Sequence, residues 1–150
     1  MSLLTTKSSS LMKLCLCLLV MLQVTACTLV APYDSETDKG INDLADKTEK
    51  FIAMCDAQRT PYSKAGTFYT DAIGAVNALK LRSDLYTKNE QEVQVLERLA
   101  VKYDHLRQSH KEGPITSSLA EPIRVSLRAL MQMQLVKKSS LAVSKSLKEA

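Results

Sequence analysis

Four stretches of this chain set their apolar residues three and four positions apart, a spacing that lines one face of an α-helix rather than alternating across a strand. Between 36 and 57 the stripe is Ile41, Leu44, Thr48, Phe51, Ile52 and Cys55. Glu36 and Asp38 fall in its first turn, at the positive end of the helix dipole, and Gly40 is a local weakness. Arg59-Thr60-Pro61 punctuates the chain, because Thr60 can cap and Pro61 can take the first helical position of the next element. The second stripe runs through Tyr62, Ala65, Tyr69, Ala72, Ile73, Val76 and Leu79 to about Tyr86. Its small row of Ala72, Ala75 and Ala78 lets another helix come close.

A third element opens at Thr87-Lys88-Asn89-Glu90, which reads as a capping box. It continues through Val93, Leu96, Leu99, Ala100, Tyr103 and Leu106 to the breaker Gly113-Pro114. The fourth opens at Ser118-Leu119-Ala120-Glu121, again a capping-box pattern, with Pro122 tolerated in the first turn. Its stripe is Leu119, Ile123, Leu127, Leu130, Met131 and Leu135. The expected fold is therefore all-α, an antiparallel up-down four-helix bundle over 36–138 with helices of about 30 Å. Residues 139–150 are Ser-rich and weakly periodic and are expected to fray as a basic tail. At 150 residues the chain suits one such domain. With no Trp and only two Phe, its core is expected to be aliphatic.

The N-terminus follows different rules. Residues 1–13 carry Lys7 and Lys13 and no acid, 14–22 are unbroken apolar residues, and Gln23-Val24-Thr25-Ala26-Cys27 follows. A cationic start, a short apolar run and a small residue before a cut describe an export signal over 1–26. As a helix the apolar run would rise about 14 Å, under half of a ~30 Å hydrocarbon layer. Removal of Lys7 and Lys13 leaves 18 cations against 16 acids, a mature charge of +2.

Val24-Thr25-Ala26-Cys27 resembles a bacterial lipobox: an aliphatic residue, a small β-branched one, a small one, then cysteine. The resemblance implies cleavage between Ala26 and Cys27, a diacylglycerol on the Cys27 thiol, acylation of the freed amine by a chain such as palmitate, and a lipidated tether over 27–35. Thr28 stands where an inner-membrane retention signal places Asp, so the resemblance also favours the outer membrane over the inner, with the domain expected on the periplasmic face. Two or three acyl chains hold a protein on a bilayer where one holds it only marginally. Farther on, Tyr33-Asp34-Ser35-Glu36-Thr37-Asp38-Lys39 resembles a loose group of small helical envelope lipoproteins with no assigned activity, and no catalytic residue carries over from it.

Cysteine usage agrees with export. Cys15 and Cys17 leave with the signal and Cys27 takes the lipid, so Cys55 alone remains as a thiol. One cysteine cannot close an intramolecular disulfide. In an oxidising envelope it is expected either to be buried, as its place on the first stripe suggests, or to join two chains.

No constellation of catalytic or metal-binding residues stands out. His105 and His110 lie about 140° apart on a helix, too far round to grip one metal, and are expected to be solvated near a helix end. Met131 and Met133 point to different faces, so with Met54 they read as gap-filling methionine rather than a soft-metal site. The acids Asp34, Glu36, Asp38, Asp43, Asp46, Glu49 and Asp56 are interleaved with Lys39, Lys47 and Lys50, as on a solvated, ion-paired face. Phosphate-binding glycine loops and nucleophile elbows do not occur. The expected protein is not an enzyme and uses no cofactor and no metal.

Charge is unevenly spread. Residues 122–150 carry Arg124, Arg128, Lys137, Lys138, Lys145 and Lys148 against Glu149, while 27–121 carry 12 cations against 15 acids. The six cations form a candidate basic interaction surface for anionic headgroups, wall acids or an acidic partner. Nucleic acid is not expected, since export removes the chain from it. The function these features suggest is that of a membrane-anchored envelope lipoprotein whose bundle binds a protein partner or peptidoglycan. The alternative is a carrier of a small ligand or metal in the bundle core.

Overall fold

In a computed structural model, which describes residues 30–149, the helical part begins at Asp34. The backbone there is extended, and the carboxylate accepts the Thr37 amide at 3.3 Å and the Thr37 hydroxyl at 2.6 Å. Helix α1 spans Ser35–Gln58 and stops at Arg59, whose φ of 46° is left-handed. Pro61, extended, precedes α2 at Tyr62–Asp84. Helix α3 covers Glu90–Glu112, and a single 3₁₀ turn, Ser117–Ala120, leads into α4 at Glu121–Glu149. Among the described residues there is no strand. The export signal 1–26, the junction at Ala26 and Cys27, and the first part of the tether lie outside the described residues.

Successive helices pack side by side and α4 returns to α1, which closes a ring of four. The start of α1, the end of α2, the start of α3 and the later turns of α4 share one end: Asp34 meets Arg82, and Asn89 meets Lys137. This is the antiparallel helical bundle that the four stripes imply. Ile41, Leu44, Thr48, Phe51, Ile52 and Cys55 are all buried, as are Leu96, Leu99, Tyr103 and Leu106 on α3.

The structure departs from the expected fold in five places. The core is not purely aliphatic: Phe51 stacks on Phe68 with centroids 3.7 Å apart, and Tyr69 and Tyr103 meet these rings edge-on. Their hydroxyls find partners, which lets tyrosine replace phenylalanine inside. Gly40 is a point of close approach, because a Cβ there would lie 2.8 Å from Leu79 Cδ2. Neither expected capping box forms: Asn89 precedes α3 but turns its amide inward, and Ser118 lies within the 3₁₀ turn. Leu119 and Leu135 are exposed, because the buried face of α4 continues through Gln134 and Lys137 instead. Finally, residues 139–149 continue α4 as regular helix rather than fraying, with nearly every side chain in water.

Candidate functional site

The most unusual chemistry lies at the end of the bundle where the tether enters. Ala31 is buried, the Tyr33 hydroxyl donates to Asp38 at 2.7 Å, and Lys138 Nζ stands 5.9 Å from the centre of the Tyr33 ring. Arg82, from the last turn of α2, forks onto both Asp34 oxygens, with its Nη2 at 2.9 Å from Oδ1. The guanidinium beside Asp34 holds that carboxyl well below the usual range, and the Thr37 bonds act in the same direction. The tether is therefore fastened to the bundle before α1 is complete.

Directly inside this latch is a buried polar network. Glu92 Oε2 accepts from Lys137 Nζ and from Gln134 Nε2, each at 2.6 Å, while Oε1 accepts from the Ser83 hydroxyl at 2.6 Å and from Asn89 Nδ2 at 3.2 Å. Asn89 also donates to the Ser83 carbonyl at 2.9 Å and accepts from Lys137 at 2.6 Å. The Lys137 and Glu92 side chains are only 7% and 2% exposed. Five residues from α2, α3 and α4 thus satisfy one another, apart from Gln134 Oε1, which has no partner. Breaking such a buried pair costs more than the intact pair adds, because the remaining charge is left unmatched. Glu92 is encircled by donors, so it is poorly placed to act as a base. Beside the network a small cleft of about 370 Å³ is lined by Val30, Ala31, Asn89, Glu92, Val136 and Lys137, among others.

A larger cleft of about 620 Å³ runs between α1 and α2. Leu44, Phe51, Phe68 and Ala72 give it an apolar floor, and Lys47, Lys50, Lys64, Asp43 and Asp71 stand among its lining residues. Lys50 reaches Asp46 at 2.6 Å, an exposed pair. The volume lies within the range of small-molecule sites, and the lining suits an apolar body with a polar end.

The far end of the bundle overturns the expectation for histidine. His105 is exposed, but His110 is buried between helices. Its Nε2 donates to the Thr60 carbonyl at 2.7 Å, so Nδ1 accepts from the Tyr69 hydroxyl at 2.9 Å. Burial raises the Tyr69 phenol. Cys55 is buried here as well; burial pushes its thiol up, and a bond from Thr60 opposes that only in part. Midway along, Thr48 donates to the Leu44 carbonyl at 2.7 Å and receives the Tyr103 hydroxyl at 2.6 Å. Among the described residues no group of three or more His, Cys, Asp or Glu could hold a metal ion.

The six cations of the candidate basic surface do not form one patch. Arg124 grips both Glu49 oxygens at 2.7 and 2.8 Å and donates to Ser117, which ties α4 to α1. Arg128 pairs with Glu121, Lys137 is inside the network, and Lys138 stands over Tyr33. Lys145 and Lys148 stand on the final turns of α4, among small, apolar and hydroxylic neighbours, with Glu149 the one acid near them. Cys27 lies outside the described residues, three positions before Val30. No family model, curated protein or solved structure matches this chain.

The network went unforeseen because Glu92, Asn89, Gln134 and Lys137 read as surface residues by type. A positional signal was present: Glu92 is four before Leu96, and Gln134 and Lys137 are four and seven after Leu130, so all three continue a buried face.

Proposed function

We propose that this chain is a bacterial envelope lipoprotein, acylated at Cys27 after cleavage behind Ala26, that presents a small helical bundle to the periplasm from the outer membrane. It acts by binding, with an envelope protein or peptidoglycan as partner, and not by catalysis. The observation that carries the reading is the tetrapeptide Val24-Thr25-Ala26-Cys27, placed behind a short apolar run and just ahead of a tether that Arg82 fastens at Asp34. A firmly held tether suits a domain that must stay close to its anchor. The ionised groups inside the bundle are tied between helices, consistent with a structural rather than a chemical role.

The test is Cys27→Ala in a Gram-negative host. Labelled palmitate is expected to enter the wild-type chain and not the variant, and the variant is expected to leave the outer-membrane fraction. A variant that fractionates as wild type does, or a wild-type chain that takes up no label, overturns the reading.

Carriage of a small ligand is the second reading, and the 620 Å³ cleft between α1 and α2 favours it. An amphiphile with an apolar body and an anionic end fits its apolar floor and lysines. Native mass spectrometry of protein purified from the periplasmic face distinguishes the readings, since a stoichiometric added mass supports carriage and a bare chain mass opposes it.

A further inference from the structure

Helix α4 is the longest of the four, and its final turns extend past Lys137, the last of its buried residues. These turns add about 18 Å of helix, at 1.5 Å per residue. The helix carries an apolar stripe on the side turned away from the core: Val125, Val136, Val143 and Leu147 are all more than half exposed. At 100° per residue these four fall within about 40° of one another, and Leu135 flanks them. Lys138, Lys145 and Lys148 project from the other side. Between Glu121 and Glu149 the helix contains no acidic residue.

We propose that this outer face of α4 seats on an anionic bilayer surface, with Val136, Val143 and Leu147 entering the headgroup boundary and Lys138, Lys145 and Lys148 attracted to the lipid charge. Apolar residues on one side and an excess of cations on the other, here three lysines against Glu149, are the marks of a helix that lies in the interface plane. The route of the tether points the same way. Val30 lines the small cleft together with Ala129, Gln132, Met133 and Val136, which belong to the outer side of α4. Cys27 is three residues earlier, at most about 11 Å of extended chain. Val30 thus brings the chain to the outer side of α4, at the end of the bundle from which the final turns project, and that reach bounds how far an anchor at Cys27 can be from the stripe. A second copy of the chain is a poorer occupant, because two such faces would bring three lysines against three, with only Glu149 on each to offset them. The inference rests on the proposed acylation for how a bilayer comes to lie beside the bundle.

Hydrogen exchange on the full processed chain tests it, with vesicles of phosphatidylglycerol and, separately, of phosphatidylcholine. Amides of 138–149 are expected to exchange several-fold more slowly on phosphatidylglycerol than in solution. The slowing is expected to weaken on phosphatidylcholine and in high salt, and to disappear in the doubly substituted Val143→Asp, Leu147→Asp chain. Both sites are exposed, so the bundle has no packing to lose. The mass of the N-terminal peptide from the same samples reports acylation. An acylated, vesicle-bound chain whose 138–149 amides are unchanged overturns the inference and leaves the anchor intact. An unacylated chain that still gains protection on phosphatidylglycerol overturns the anchor and upholds the face. Protection that appears without vesicles and grows with protein concentration assigns the face to a second copy and also overturns the inference.

Discussion

Lys137 holds Glu92 at 2.6 Å with both side chains withdrawn from water, so a single ion pair joins α3 to α4 at the end of the bundle where the tether enters. Removing one partner leaves the other buried and unmatched, at a cost of about 3–5 kcal/mol. Lys137→Met is expected to lower stability by that amount in urea unfolding. Glu92→Gln added to it is expected to recover most of the loss, since an amide can still accept from Ser83. Equal losses in the single and double variants would show that charge is not what the site balances.

Asp34 sets an acid limit on stability. Its native carboxyl titrates below the ordinary value of about 3.9, so the ionised form adds stability at neutral pH. That contribution is complete above the unfolded value and is lost as pH falls through the lower native one. Asp34→Ala removes the helix cap and the Arg82 pair together and is expected to cost about 1–2 kcal/mol at pH 7, since half-exposed Arg82 contributes little by itself. Melting curves from pH 5 down to pH 2 are expected to be flatter in the variant.

Two helical glycines are expected to respond differently to alanine. Gly74 has open space around it, and Gly74→Ala is expected to stabilise by about 0.5–1 kcal/mol through helix propensity alone. Gly40→Ala gains the same propensity but pushes its Cβ onto Leu79, so its net gain is expected to be smaller or absent. Chemical denaturation of both variants side by side checks the ordering.

Cys55 is expected to resist alkylation. It is buried and its thiol is raised, so little thiolate is available or accessible. Iodoacetamide should leave the Cys55 peptide unmodified in the native chain and convert it fully in urea, as read by peptide mass mapping. Rapid native modification, or a Cys55-linked dimer, would contradict the burial.

The helices were readable in the sequence because each stripe has a strong period and each junction has a breaker. Ile41 through Cys55 and Leu96 through Leu106 are buried as that period requires. The details that failed depend on partners distant in sequence. A pattern that scores Lys137 and His110 by residue type alone leaves them in water, whereas Glu92 and the Thr60 carbonyl, 45 and 50 positions away, give each a place inside. The Arg82–Asp34 latch spans 48 positions and had no local signal. The box expected at Thr87 fails for the same reason, because α3 starts only after Asn89, whose side chain is held by Ser83 and Lys137 as well as by Glu92. Motif and period describe neighbours along the chain, and the polar end of this bundle is built from residues that are neighbours only in space.

The fork of Arg82 on Asp34 also determines where a mechanical load would travel. Tension applied to the segment ahead of Val30 reaches Asp34 before it can unwind the first turn of α1, and there part of it crosses to the end of α2. Unravelling the first turn of α1 then requires the fork to open as well, so two helices bear the pull where one turn otherwise would.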